Sequence, residues 1–297
     1  MARPNRPRPR SSATRPDPPP ELRELGLQAR KALGQHFLVD HEVLERIALA
    51  APLSGSPVME IGPGLGYLTE EIVRRGATVA AIEIDERLCD YLRDRFAGRR
   101  VHVVCADALE ASPHELLARA GMSPPFGAMG NLPYYITGLL LRRFLESAER
   151  PDWMVFMVQR EVAESLAGRP PRMSLLGVSV QYFAEAELLF HVPPAAFYPP
   201  PKVDSSVVRL VTRKSPAVDV DDEEAFFKIV RAGFSSARKQ LHNALARGIW
   251  LEPGAASEIL ERAAIDPMRR AQTLDLHEWG RIYEAWKVRR DQKEPAG

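Results

Sequence analysis

"PVMEIGPGLGYLTE", residues 57–70, decides the fold. Its opening is a short apolar run carrying one acid, Glu60, and it reads as a buried strand. The run stops at Gly62, Pro63, Gly64, Leu65 and Gly66. Glycines permit a tight turn and a close approach of backbone to a ligand. Helical periodicity begins at Tyr67 and ends at the glycine stop, Gly76. A strand, a glycine turn and a helix in that order open a βαβ chain.

The same pattern continues downstream. "TVAAIEID" (78–85), "VHVVCADAL" (101–109), "FGAMGNLPY" (126–134) and "DWMVFMVQ" (152–159) read as further strands. Between them, 86–96, 113–121 and 136–147 carry helical spacing. Alternation at this spacing predicts an α/β fold: a Rossmann-like, mostly parallel sheet with helices on both faces. Two more strands are expected at 185–192 and 205–213, separated by a Pro-rich loop too long for a tight hairpin. Beyond about residue 215 the strand pattern stops, and 222–234, 236–248, 254–264 and 276–290 read as helices. Upstream, residues 21–53 also show helical spacing, through Val43, Leu44, Ile47 and Ala48. The expected organisation is a basic arm (1–20), a sheet domain (21–215), a small helical domain (216–288) and a polar tail (289–297).

Composition bounds the classes. The chain has 297 residues, 45% hydrophobic and 27% charged, which supports a packed core. Residues 1–20 hold five Arg, seven Pro and one Asp, too little apolar surface to offset the entropy of ordering. No run matches a signal peptide or a membrane helix. The two cysteines, Cys89 and Cys105, form no CxxC pair, so no metal site is expected. The expectation is a soluble, cytoplasmic chain with reduced cysteines in apolar surroundings, acting as a monomer and away from membranes.

In an open parallel sheet, ligands bind at the carboxyl ends of the strands. The residues expected there are Glu60 with Gly62 and Gly64, then Glu83, Asp107 and Asn131. Glu83 lies 21 residues after Gly62, the distance at which a carboxylate accepts both ribose hydroxyls of an adenine nucleotide. The loop reads GxGxG and not GxGxxG, and Glu60 would repel a pyrophosphate. A cationic adenosyl ligand fits better. S-adenosylmethionine carries an ammonium and a sulfonium suited to Glu60 and the glycine backbone, a diol suited to Glu83 and an amine suited to Asp107.

"GNLPYYIT", residues 130–137, follows the fourth strand. The exocyclic amine of adenine is a poor nucleophile, because its lone pair is delocalised into the ring. Two acceptors, one for each N–H, localise that lone pair. Asn131 offers a neutral side-chain oxygen and Leu132 a backbone carbonyl. Pro133 biases Leu132 toward extended backbone and has no N–H to compete. Tyr134 offers a flat face for an extruded base.

With these residues in view, the sequence resembles the ribosomal RNA small-subunit adenine dimethyltransferase family. The resemblance runs over about residues 30–287, from "KALGQHFLVD" through "EIGPGLGYLTE" and "GNLPYYIT" to "FYPPPKVDSSVVRL", "FSSARKQLHNAL" and "RRAQTLDLHEWGRIYEAW". It implies dimethylation of two adjacent adenosines near the 3′ end of small-subunit rRNA, with S-adenosylmethionine as donor and the small ribosomal subunit as partner. It further implies that His36 and Leu38 cover the cofactor, and that Gly62, Glu83, Asp107 and Asn131 bind it. Asn131, Leu132, Pro133 and Tyr134 match the catalytic motif, and Phe197 would clasp the target base from the other side. Many members carry Asn where this chain has His36; Tyr135 receives no role. Residues 231–250 lack acids, and Arg231, Arg238, Lys239 and Arg247 would meet RNA phosphates, with Arg238, Lys239 and His242 on one helix face. Lys202 would stand near the mouth of the target pocket. Two rivals stay open: a large-subunit rRNA adenine methyltransferase, and a non-catalytic assembly or transcription factor on the same fold.

Overall fold

A computed structural model describes residues 17–53, 55, 57–236 and 239–293. Of the expected arm, residues 1–16 lie outside them. In chain order the elements are α1 (Pro20–Glu24), β1 (Phe37–Leu38), α2 (His41–Leu49), β2 (Pro57–Ile61), α3 (Tyr67–Arg74), β3 (Thr78–Glu83), α4 (Glu86–Arg95), β4 (Val101–Cys105), α5 (Pro113–Arg119), β5 (Gly127–Asn131), α6 (Thr137–Leu145), β6 (Trp153–Gln159), α7 (Arg160–Leu166), α8 (Leu175–Phe183), β7 (Ala184–Val192), β8 (Phe197–Tyr198) and β9 (Ser205–Thr212). The C-terminal part is helical: α9 (Glu223–Phe234), α10 (Leu241–Gly248), α11 (Ala255–Arg262) and α12 (Leu276–Lys293).

Among the described residues, seven strands form one sheet in the order β4-β3-β2-β5-β6-β9-β7. The first five are mutually parallel, while β9 runs antiparallel to both β6 and β7. Strands β2, β3 and β6 are buried on both faces and read accordingly as near-continuous apolar runs. Chain order reverses between β2 and β5. Close packing there depends on Gly130: a Cβ at this position would stand 2.4 Å from the carbonyl oxygen of Ile61. The reversal places the glycine turn after β2 beside the end of β5, which opens the crevice that such sheets use for ligands.

The C-terminal helices share a continuous apolar cluster with one face of the sheet. Tyr182 of α8 stacks on Phe226 of α9 at 5.2 Å, and the buried Trp279 of α12 lies beneath Gly233. Residues 213–222 connect β9 to α9.

Several expectations change. Residues 21–53 are not one helical region, because α1 and α2 flank a short 3-10 turn (Lys31–Leu33) and β1. Helices α7 and α8 were not foreseen. The helix expected over 236–248 starts only at Leu241, so Lys239 lies in the preceding turn and shares no helix face with His242. Helix α12 runs to Lys293 and absorbs the first residues of the expected tail; residues 294–297 lie outside the described ones. Cys89 and Cys105 are not two reduced thiols in apolar surroundings. They form a disulfide between α4 and the end of β4, with Cys89 buried and Cys105 exposed. No helix among the described residues is long and apolar enough to cross a membrane.

Candidate active site

The crevice at the chain reversal is a cavity bounded by the ends of β2, β3, β4 and β5. The four acid or amide residues expected at those ends, Glu60, Glu83, Asp107 and Asn131, all line it. Gly62 and Gly64 adopt φ of +66° and +59°, a region that L side chains rarely enter. Gly64 leaves little room for a side chain, since a Cβ would meet the Phe37 ring at 3.1 Å.

Glu60 is 1% exposed. Its Oε2 accepts from the Thr69 hydroxyl at 2.6 Å. Its Oε1 accepts nothing from the described residues, although the residue lines the cavity. Burial pushes its pKa up to about 8, against the smaller opposing effect of the Thr69 bond. Glu83 is also buried, and burial raises its pKa. Three backbone amides oppose that shift: Ile84 (2.9 Å) and Asp85 (3.0 Å) donate to Oε1, and Gly64 (3.1 Å) donates to Oε2. Glu83 therefore locks the glycine turn to the end of β3. Asp107 accepts from the Leu109 amide through Oδ1 at 2.7 Å.

A strap built from residues ahead of the sheet closes one side. His36 and Leu38 line the cavity as expected. The strap is held by four long-range links. Leu22 of α1 packs with Phe37, Leu65 and Leu88. The Tyr67 hydroxyl donates to Glu21 at 2.6 Å. Phe37 and Leu38 pair with Tyr198 and Phe197 in a two-stranded β1–β8 sheet. The His36 Nδ1 lies 2.6 Å from the Pro199 carbonyl oxygen, which can only accept, so Nδ1 carries the proton.

At the end of β5, Asn131 donates its Nδ2 amide to the His36 carbonyl at 2.8 Å. This fixes Nδ2 as the donor end and leaves Oδ1 with no donor among the described residues. The Leu132 amide is spent on the Met157 carbonyl at 3.1 Å, while no described donor reaches the Leu132 carbonyl. Tyr134 is half-buried, with its ring 6.3 Å from the His36 ring at 22° and its hydroxyl 3.0 Å from Ser205 Oγ. Burial raises the Tyr134 pKa, with the Ser205 bond opposing. Tyr135 is 62% exposed at the rim.

Phe197, in β8, is 1% exposed, packs in the core and does not line the cavity. Its neighbour in β8, Tyr198, is only partly buried. Of the expected RNA contacts, Lys202, Arg231, Lys239 and Arg247 are exposed and form no ion pair with described residues. Arg238 lies outside the described residues. Thr69, Ser205 and the His36 carbonyl were missed by sequence reasoning; no local pattern marks a hydroxyl or a carbonyl as a partner for a residue nine to 95 positions away.

The comparisons with known proteins agree with this geometry. The family model for ribosomal RNA adenine dimethylase matches residues 26–282. A ribosomal RNA small subunit methyltransferase A of Dehalococcoides mccartyi is 43% identical over 258 residues, covering 86% of this chain and 88% of the relative. The protein of the same name from Moorella thermoacetica is 43% identical over 270 residues, 88% and 93% of the two chains. Among solved structures, the 23S rRNA methyltransferase ErmE superposes with a TM-score of 0.68 at 30% identity, over 84% of this chain and 99% of its own. A dimethyladenosine transferase from Plasmodium falciparum superposes at 0.69 with 23% identity, over 87% of this chain and 98% of its own, which supports the fold alone. Taken with the acids at the strand ends and the NLPY segment at the end of β5, these matches establish that the chain belongs to the ribosomal RNA adenine dimethylase family.

Proposed function

We propose that this protein dimethylates the exocyclic amines of two adjacent adenosines in the 3′-terminal hairpin loop of small-subunit rRNA, using S-adenosylmethionine, and acts in the biogenesis of that subunit. The observation that carries the reading is the pair of unengaged acceptors at the end of β5. Asn131 has its NH₂ tied to the strap and its Oδ1 free, and the next residue offers a free carbonyl.

The donor set fits the cofactor. Glu60 presents an unengaged oxygen on a buried carboxyl, suited to an ammonium. Glu83 suits a ribose diol, and Asp107 keeps Oδ2 for an adenine amine. When bound, S-adenosylmethionine supplies a methyl group made electrophilic by its sulfonium.

The chain's own residues do the rest. Asn131 Oδ1 and the Leu132 carbonyl each accept one N–H of the target amine. That draws the nitrogen toward tetrahedral geometry and localises its lone pair. Both acceptors are neutral, so no uncompensated anion has to be desolvated in an apolar pocket. Pro133 leaves no N–H to compete for them. The Tyr134 face gives the extruded base a surface to stack on, with its ring held by Ser205.

The relatives named for the small subunit are 43% identical, against 30% for the 23S rRNA enzyme, which favours the small-subunit substrate. The test is in vitro methylation of small subunits and of large subunits from cells lacking the gene, followed by mass spectrometry of rRNA fragments. Dimethyladenosine confined to the 3′-terminal fragment of the small-subunit rRNA is the expected result. Modification of large-subunit rRNA alone, or binding with no methylation, overturns it.

A further inference from the structure

We infer that Trp250 is an RNA contact, a projecting ring on which an unpaired base of the substrate rRNA stacks. The inference rests on the rRNA substrate proposed above and assigns a surface on the helical C-terminal part, outside the cavity at the strand ends.

Trp250 is 92% exposed, the most exposed of the large apolar side chains described. Its backbone adds a second, independent observation. Trp250 has φ of +53°, the left-handed region. It occupies the position after the end of α10, where the Leu251 amide returns to the Ala246 carbonyl at 3.0 Å and the Ile249 amide to Leu245 at 3.1 Å. Helices that close this way usually place glycine there, because any Cβ is disfavoured. A large side chain in this conformation ordinarily gains something by packing. Here the neighbours Ile249 and Leu251 pack on the core, while the Trp250 ring has no contact with another ring or a cation among the described residues. Packing does not account for the residue, so a binding role does.

Charge selects the partner. Residues 225–251 contain no Asp or Glu and hold Lys228, Arg231, Arg238, Lys239 and Arg247. Arg247 is exposed in the last turn of α10. Gly248 stands against Ala232, which sets that turn beside the last turn of α9, carrying exposed Arg231. Glu252, the acid that follows, lies 3.9 Å from Arg289 and is already engaged. A bare indole beside unpaired guanidinium groups suits a polyanion with exposed flat bases. A protein partner would instead have to supply an acidic, apolar surface.

The experiment measures affinity for under-methylated small subunits across a salt series, with chemical probing of rRNA bases in the same complexes. Trp250→Ala and Trp250→Gly are expected to weaken binding about 10-fold or more, as stacking of one base would. Trp250→Phe should stay within about 3-fold, because a ring face remains. The salt slope should be unchanged in Trp250→Ala and shallower by up to about 0.9 in Arg247→Ala. Trp250→Gly should keep or raise the melting temperature, since it relieves the left-handed backbone. A base protected in the wild-type complex should become reactive in Trp250→Ala. Wild-type affinity in both the Ala and Gly variants overturns the inference, as does a marked fall in the melting temperature of Trp250→Gly. Weaker binding with no change in base reactivity assigns the contact to a ribosomal protein and also overturns it. Methylation of the particle by the wild-type enzyme is scored separately, so failure of the substrate reading is distinguishable.

Discussion

The side-chain amide of Asn131 donates to the backbone carbonyl of His36 across 2.8 Å and 95 residues of chain. On the reaction proposed above, the bond would make the strap part of the catalytic apparatus. An amide free to turn would offer NH₂ to the target half the time. With Nδ2 committed, Oδ1 is pre-aimed as an acceptor, and the orientation needs no reorganisation when substrate arrives. The other end of His36 is bound to Pro199, so the Pro-rich loop and the Asn131 amide are joined through one residue.

Asn131→Ala should therefore act on the transition state more than on binding, where localisation of the lone pair is greatest. Turnover is expected to fall by about 100-fold or more, the scale of losing one positioned polar group. Single-turnover rates on purified small subunits check this. A near-normal rate would remove Asn131 from the chemistry.

The strap should be separable from the sheet. Leu22→Ala deletes the apolar anchor of α1 while leaving every strand-end residue in place. Truncating a buried Leu costs about 2–5 kcal/mol, and here the loss falls on local docking. Faster amide exchange at residues 37–39 and lower turnover are expected, with little change in the melting temperature. Unchanged exchange at those residues would show that the β1–β8 pair alone holds the strap.

Tyr134 has two groups with different duties. Its face is the proposed stacking surface, and its hydroxyl meets Ser205 at 3.0 Å. Tyr134→Phe should retain most of the turnover and lose about 1 kcal/mol of stability with the hydrogen bond. Tyr134→Ala should lose turnover severely, because the flipped base has nothing to rest on. Equal activity loss in the two variants would move the function from the ring to the hydroxyl.

Local patterns in the sequence carried the sheet and the strand-end acids. The parallel strands read as mostly apolar runs, and Glu60, Glu83, Asp107 and Asn131 lie at or near their ends, so local pattern and spacing together located them. What periodicity does not carry is contact between distant segments. The two-residue strands β1 and β8 lie about 160 positions apart and are too short to show alternation. The burial of Phe197, the Asn131–His36 bond and the Cys89–Cys105 disulfide all depend on that kind of closure. The resemblance to the family named Phe197 as a base contact; its burial appears only once β8 pairs with β1. Lys239 was misplaced for a local reason. Its segment has helix-forming composition, but the chain turns after Phe234, and Leu241 starts a new helix by bonding to the Arg269 carbonyl.

Glu60 makes the site respond to pH, and the sign follows from burial. Its pKa is raised from 4.5 to about 8 in the folded chain. Between those values the native state holds a proton that the unfolded chain releases. Stability contributed by this group is therefore greatest at low pH and declines as pH rises through the window, by up to about 1.4 kcal/mol per pH unit, then levels above pH 8. Glu60→Gln should flatten that part of the stability profile, measured by urea denaturation at pH 6 and pH 8. An ammonium beside the free Oε1 favours the ionised carboxyl, so a ligand carrying one should displace the proton. Binding of S-adenosylhomocysteine should then tighten from pH 6 to pH 8 and release protons, seen by calorimetry in two buffers of different ionisation enthalpy. Glu83, Asp107 and His36 share the cavity, and the Gln variant separates their contribution from that of Glu60. Thr69→Val should shift the same profile further toward high pH, because it removes the hydrogen bond that now favours the ionised form. Proton release that is identical in wild type and Glu60→Gln would place the ammonium elsewhere in the cavity.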